Sequence, residues 1–182
     1  MEMLDIVDEN GIPTGQTVER ILAHTEGIRH RTSHVWIARE KDGGIQILLQ
    51  KRSDSKDSYP GCYDISSAGH IPAGQDFIPS ALRELKEELG VDASPENLIF
   101  CGQRHFEFQN SFHGRSFCDN QVSNVYVLKK DVPERDFVLQ KEEVSSVRWI
   151  GLEECLDKIS KEEIPNCIFP EELEMVRSTL IL

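Results

Sequence analysis

Gly69-His70-Ile71-Pro72-Ala73-Gly74-Gln75-Asp76-Phe77-Ile78-Pro79-Ser80-Ala81-Leu82-Arg83-Glu84-Leu85-Lys86-Glu87-Glu88-Leu89-Gly90-Val91 is the stretch on which the reading of this chain turns. Gly69, Pro72 and Gly74 keep its first third irregular. Pro79–Leu89 has helical periodicity, and Gly90 follows as a stop. At about 100° per residue, Ala81, Leu82, Leu85 and Leu89 form one apolar stripe. Glu84, Glu87 and Glu88 fall in an adjacent arc of similar width. Carboxylates at i, i+3 and i+4 repel one another and destabilise a bare helix. Arg83 and Lys86 lie off that arc and cannot neutralise it fully. Such a cluster is either a solvated acidic face or the oxygen-rich surface that a hard divalent cation requires; Mg²⁺ is commonly held by carboxylates together with substrate phosphates.

On either side of this stretch the chain alternates between strand-like and helical segments. Leu4–Asp8 reads as a short strand, with turn residues at Asn10-Gly11 and Pro13-Thr14-Gly15. Thr17 is placed to cap a short helix ending near Ala23. Thr32–Ala38 and Ile45–Arg52 form a hairpin about Asp42-Gly43-Gly44. Ser53–Gly61 is a polar loop and Ile65–Ala68 a short strand. Ile99–Phe108 and Gln121–Leu128 are strands joined around Asn110–Gly114. Val147–Ile150 is a strand, and Leu152–Ile159 and Glu171–Leu180 are closing helices. Strands and helices without regular alternation indicate an α+β fold with a mixed sheet.

The 182 residues fit one domain, with residues 1–30 as an N-terminal extension and 160–182 as a closing C-terminal helix. Twenty basic and 32 acidic residues give a net charge of −12. A surface this negative argues against a nucleic-acid polymer or an anionic membrane as partner. It leaves room for a small anionic ligand held by a metal or a local basic pocket. No apolar run approaches the ~20 residues of a membrane-spanning helix, and Met1–Asp8 lacks a signal-peptide charge distribution. Five cysteines, an odd number with no Cys-x-x-Cys pair, indicate reduced thiols in a cytoplasmic protein.

Residues 69–91 resemble the Nudix box, Gly-x5-Glu-x7-Arg-Glu-U-x-Glu-Glu-x-Gly-U, with U aliphatic. Eight of its nine specified positions are met, and Gln75 stands where the ninth usually has Glu. The resemblance implies an α/β/α sandwich around a mixed β-sheet and Mg²⁺-dependent cleavage of a diphosphate, with Mn²⁺ as a substitute ion. Carried over, Glu84, Glu87 and Glu88 are metal ligands or near-ligands, joined by the Gly69 carbonyl. Arg83 orients the glutamates. The glutamate that Gln75 replaces usually braces the loop through that arginine, so a weaker brace is expected here. A metal-bound or base-activated water then attacks phosphorus. Glu87 or Glu88 could serve as its base, as could Glu142 or Glu143, which precede the Val147–Ile150 strand.

Further features resemble the isopentenyl-diphosphate isomerase branch of that superfamily: Ala23-His24-Thr25 followed by Arg29-His30, Gln50-Lys51-Arg52 through Lys56 to Tyr59-Pro60-Gly61, and Ala68-Gly69-His70. In the isomerase, positions matching His24, His30 and His70 bind a second divalent metal, and those matching Arg52 and Lys56 hold the diphosphate. Its catalytic cysteine, however, corresponds to Ala68, its later glutamates fall near Asp119 and Gln121, and its C-terminal tryptophan has only Phe169 nearby. The chain therefore reads as having lost the isomerase chemistry and kept that of a hydrolase. The expected function is hydrolysis of a small organic diphosphate, either an isoprenoid diphosphate or a nucleoside diphosphate derivative. The competing readings are the isomerase itself and a non-catalytic metabolite-binding module. Nudix proteins are often dimers, so a homodimer is also an expectation. His105 and His113 read as surface or packing residues, and Trp36 and Trp149 as core.

Overall fold

A computed structural model describes residues 1–56, 58–112 and 114–181; His113 thus lies outside the described residues. The elements in chain order are β1 (Met3–Val7), β2 (Pro13–Glu19), α1 (Arg20–Glu26), β3 (His30–Lys41), β4 (Gly44–Arg52), β5 (Tyr63–Asp64), β6 (Ser67–His70), α2 (Phe77–Leu89), β7 (Leu98–Phe112), β8 (Arg115–Lys129), β9 (Val144–Gly151), α3 (Leu152–Ser160) and α4 (Pro170–Ile181). Strands β3 to β9 form one mixed sheet. β3 is central: it pairs in parallel with β8 along one edge, and antiparallel with β6 and then β4 along the other. β4 carries β9 and β5, and β7 pairs with β8.

Alternation along β3 sorts the core into two layers. Val35 and Ile37 face α2, packing with Ala81, Leu85 and Leu89. Trp36 and Ala38 face the opposite way, toward Cys155, Ile159, Leu173 and Val176 of α3 and α4. This is the expected α/β/α sandwich, and both layers follow from the period-2 geometry of a strand buried on both sides. Trp36 is fully buried, whereas Trp149 is only half-buried, under the Arg39 guanidinium.

Three elements differ from expectation. Thr17 does not cap a helix. It pairs with Asp5, and Val18 pairs with Leu4, so the β-branched pair extends β2 and α1 starts only at Arg20, without a side-chain cap. The β7–β8 hairpin is longer than read, because polar side chains alternate with Phe106, Phe108 and Phe112 to its end. Finally, β6 includes Gly69 and His70, which pair with Ser33 and Thr32. The β3–β4 turn is as read, with Asp42 and Gly43 both at positive φ (53° and 77°).

Candidate functional site

Strand β6 divides two clusters of ligand atoms. Ser67 and Gly69 face α2, whereas Ala68 and His70 face the α3–α4 side, because neighbouring residues of a strand point oppositely.

On the α2 side, Asp76 caps the helix through the Phe77 N–H, and Gly90 ends it at a φ of 68°. Turning the apolar stripe into the sheet brings Glu84 and Glu88 under β6. Glu88 is buried and accepts a 2.8 Å bond from the Ser67 hydroxyl. Glu84 presses against Gly69, where a Cβ would lie 2.4 Å from its carboxyl carbon. Glycine is therefore the residue that leaves room for this carboxylate beside the β6 backbone. Burial pushes Glu84 up to about 7 and Glu88 up to about 8; Glu87 adds to the rise of Glu84, and Glu84 to that of Glu88. Glu87 is about half exposed, 3.6 Å from Arg83 Nη1. Arg83 donates to Glu84 at 2.7 Å. Crowded oxygen donors with too little positive charge beside them fit a hard divalent ion.

The rim of this face is made by the 53–64 loop and the segment before β9. Glu143 adds to the raised values of both Glu84 and Glu88, whereas Glu142 is exposed and exerts no such effect. Lys56 is paired with Glu143. Arg52 donates to Asp64 at 2.9 Å and to the Ser58 carbonyl from two nitrogens. The sequence reading missed Asp64; nothing in its local context marks it, and only the β4–β5 pairing brings it to Arg52 and Glu88.

On the other side of β6, three imidazoles from three segments converge. His24 comes from the last turn of α1, His30 from the start of β3 and His70 from the end of β6. One ligand atom from each lies within 4.8 Å of the others. His24 and His70 present their Nε2 atoms to each other at 3.1 Å. His30 Nδ1 bonds the Ile28 carbonyl at 2.8 Å, which turns its Nε2 inward without a partner. Asp119 Oδ1 is also buried and unpartnered, 3.6 Å from His30 Nε2 and 3.7 Å from His24 Nε2. Its other oxygen accepts from Gln121, whose carbonyl in turn accepts from Thr32. Burial lowers His24 to about 3 and drives His70 well below its ordinary value, while it raises Asp119 to about 6. These are neutral imidazoles beside an idle carboxylate oxygen rather than ion pairs, and they match the donor set of a divalent transition metal.

Sequence spacing placed His30 and His34 on one strand face, and they are; their partners separate them. His34 instead bonds Glu172 at the start of α4, with both oxygens at 3.0 Å. Glu172 also accepts from Trp36 Nε1 at 2.9 Å and from Arg104. Burial alone would raise Glu172, but His34, Arg104 and Trp36 hold it at about 2. The acidic start of α4 gave no sign of this buried role. His105 is exposed, as read.

Two surface hollows, one beside Ala38 and Leu180 and one beside the β3–β4 turn, lie at the other end of β3 and include none of these residues. No helix among the described residues is long and apolar enough to cross a membrane.

A family model described as NUDIX domain matches residues 28–168. The chain is 42% identical over 166 residues to Nudix hydrolase 3 of Arabidopsis thaliana, a match covering 89% of this chain and 21% of that protein. It is 35% identical over 153 residues to an uncharacterised Nudix hydrolase of Clostridium acetobutylicum, covering 84% of this chain and 71% of the relative. The chain thus spans about a fifth of the Arabidopsis protein's length. Among solved structures, DR0079 of Deinococcus radiodurans superposes with a TM-score of 0.67 at 22% identity, covering 98% of this chain and 99% of that one.

Proposed function

The chain belongs to the Nudix family, and from that premise and the site geometry we propose a Mg²⁺-dependent hydrolase that cleaves a small organic diphosphate on the α2 face of β6. Mn²⁺ would substitute for Mg²⁺. The observation that carries this reading is the pair of buried carboxylates, Glu84 and Glu88, set against the one residue of β6 that has no side chain to exclude them.

In this reading Glu84, Glu88 and the Gly69 carbonyl would hold the ion, and the half-exposed Glu87 would join them. When bound, the ion neutralises the bridging phosphate oxygens and makes phosphorus electrophilic. Arg83 fixes Glu84 and keeps Glu87 in reach. Glu87, exposed and without a buried partner, accepts the proton of the attacking water; Glu143 is the second candidate, and Glu142 is set aside because, unlike Glu87 and Glu143, it is not among the charges acting on Glu84. The new P–O bond forms as the bridging P–O bond breaks, and the leaving phosphate takes the electron pair. Lys56 and Arg52 bring positive charge to the rim, Lys56 by turning from Glu143 to the diphosphate, Arg52 by holding the loop's shape through Ser58 and Asp64. Five free cysteines support a reducing compartment, the cytoplasm.

The histidine cluster favours an isomerase-like scaffold, with His24, His30 and His70 as ligands of a second divalent metal and Asp119 as a fourth. It also keeps the isomerase as a second reading, against which Ala68 and Gln121 supply neither a thiol nor a carboxyl.

The test is a panel of isoprenoid diphosphates, nucleoside diphosphate derivatives and sugar nucleotides, incubated with Mg²⁺ and with chelator, products resolved by chromatography and mass. Metal-dependent cleavage of one class supports the hydrolase. Conversion of isopentenyl diphosphate to its isomer without phosphate release would replace it by the isomerase. Tight binding without turnover would replace it by a metabolite-binding module.

A further inference from the structure

The loop that leads into α2 is braced, but not by the residue its sequence pattern assigns. Gln75 is exposed, and its side chain makes no hydrogen bond among the described residues. Arg83, which a glutamate at position 75 would engage, is turned instead to Glu84 and Glu87.

The brace comes from behind. Arg31 lies on the face of β3 opposite the histidines, with its side chain 7% exposed. One of its nitrogens donates to the Gln75 carbonyl at 2.8 Å and to Asp5 Oδ2 at 3.0 Å. The same Asp5 oxygen accepts from the Gly74 N–H at 2.9 Å. Asp5 is a β1 residue with a side chain 12% exposed. The Arg31 guanidinium also lies 5.3 Å from the ring centre of Phe77, the first residue of α2. Backbone bonds run alongside: Ala73 N–H to the Met3 carbonyl at 2.8 Å and Ile71 N–H to the Arg31 carbonyl at 3.1 Å. The N-terminal hairpin therefore grips residues 71–77 through one mostly buried, charge-assisted node, and such bonds are shorter and stronger than neutral ones.

We propose that Asp5 and Arg31 are positioning residues for the metal-binding loop. They take over the bracing that a glutamate at position 75 would supply, which leaves Arg83 to the carboxylate face. This rests on the reading of Glu84, Glu88 and Gly69 as metal ligands. The node sets where the loop leaves β6 and enters α2, and hence the gap between the Gly69 carbonyl and the two glutamates. Ligand supports of this kind are worth roughly 10- to 100-fold in metal affinity or activity.

The test compares the full chain with Asp5→Asn, Arg31→Lys and each of these combined with Gln75→Glu. Mg²⁺ affinity is measured by calorimetry, kcat and KM by hydrolysis, and the melting temperature in chelator. Asp5→Asn keeps size and loses charge; Arg31→Lys keeps charge and loses the guanidinium plane over Phe77. Each is expected to weaken Mg²⁺ binding about tenfold and lower kcat while moving KM little. Gln75→Glu should then restore most of the Mg²⁺ affinity and kcat, by re-engaging Arg83, without restoring the melting temperature. A purely structural node would give the opposite split. The inference is overturned when both single variants bind Mg²⁺ within about twofold of the parent, or when Gln75→Glu rescues nothing. If Arg31→Lys does not fold, the Asp5→Asn pair decides alone. Glu88→Gln runs beside them: Mg²⁺ binding unchanged in that variant refutes the ligand assignment itself, whatever the node does.

Discussion

The two faces of β6 carry clusters of ligand atoms of opposite construction. On the α2 face the donors are oxygen atoms from a contiguous loop and helix, and burial raises them toward the protonated form, Glu84 to about 7 and Glu88 to about 8. On the far face the donors are mainly nitrogens from three separate segments, and burial drives them toward the neutral form, His24 to about 3. The same physical cause, desolvation of a charged form, acts with opposite sign on acid and base. Each face is thereby left with lone pairs in want of a positive charge. The lesson is that adjacent residues, Gly69 and His70, border clusters of different chemistry because a strand sends them to different sides.

The comparison breaks first at Glu88. Glu88→Gln should lower hydrolysis by at least about 100-fold with the circular-dichroism spectrum unchanged; full activity would remove the α2 face from the chemistry. Next is the network beneath the histidine face. Glu172→Gln strands Arg104 and His34, and removing one member of a buried ion pair costs about 3–5 kcal/mol, to be read from urea unfolding. A loss of less than about 1 kcal/mol would make the network a solvated one. His70→Ala should weaken binding of Zn²⁺ or Mn²⁺ at the nitrogen-rich site roughly 10- to 100-fold or more, while leaving Mg²⁺ binding by the α2 face intact. Loss of both together would mean that the faces are one site.

A pH profile in chelator sharpens the contrast. Glu84 and Glu88 have raised values in the fold, so the unfolded chain loses their protons first and stability falls as pH rises from about 4.5 toward 8. His24 is depressed, so the unfolded chain gains its proton first and stability falls as pH drops from 6.5 toward about 3. Glu88→Gln should flatten the alkaline limb of the melting-temperature curve and His24→Asn the acid limb; limbs that respond to the wrong variant would refute these assignments. The smallest effect separates two neighbours. Glu143→Gln should lower kcat several-fold by removing the second candidate base and the carboxylate that pairs with Lys56, whereas Glu142→Gln should change it by less than about twofold, as exposed charges usually do.

The sequence alone determined the carboxylate arc of α2, because the helix that carries it is local. An apolar stripe at a period of 3.6 chooses which side of the helix is buried, and the carboxylates follow one turn apart on the next side. A sheet covered on both faces was expected from the family resemblance, not from any pattern within β3. Long-range assembly decided the rest. The resemblance named His24, His30 and His70, but only the parallel register of β3 with β8 brings Asp119, 89 positions after His30, to them. Nothing local to Arg31 announced its bonds to Asp5 and the Gln75 carbonyl. Asp5, Asp64 and Glu172 carried no local sign at all. A lone acidic residue in a sequence is indistinguishable from a solvated one, and its role is set by what desolvates it and what charge it then faces, which is a property of packing rather than of spacing.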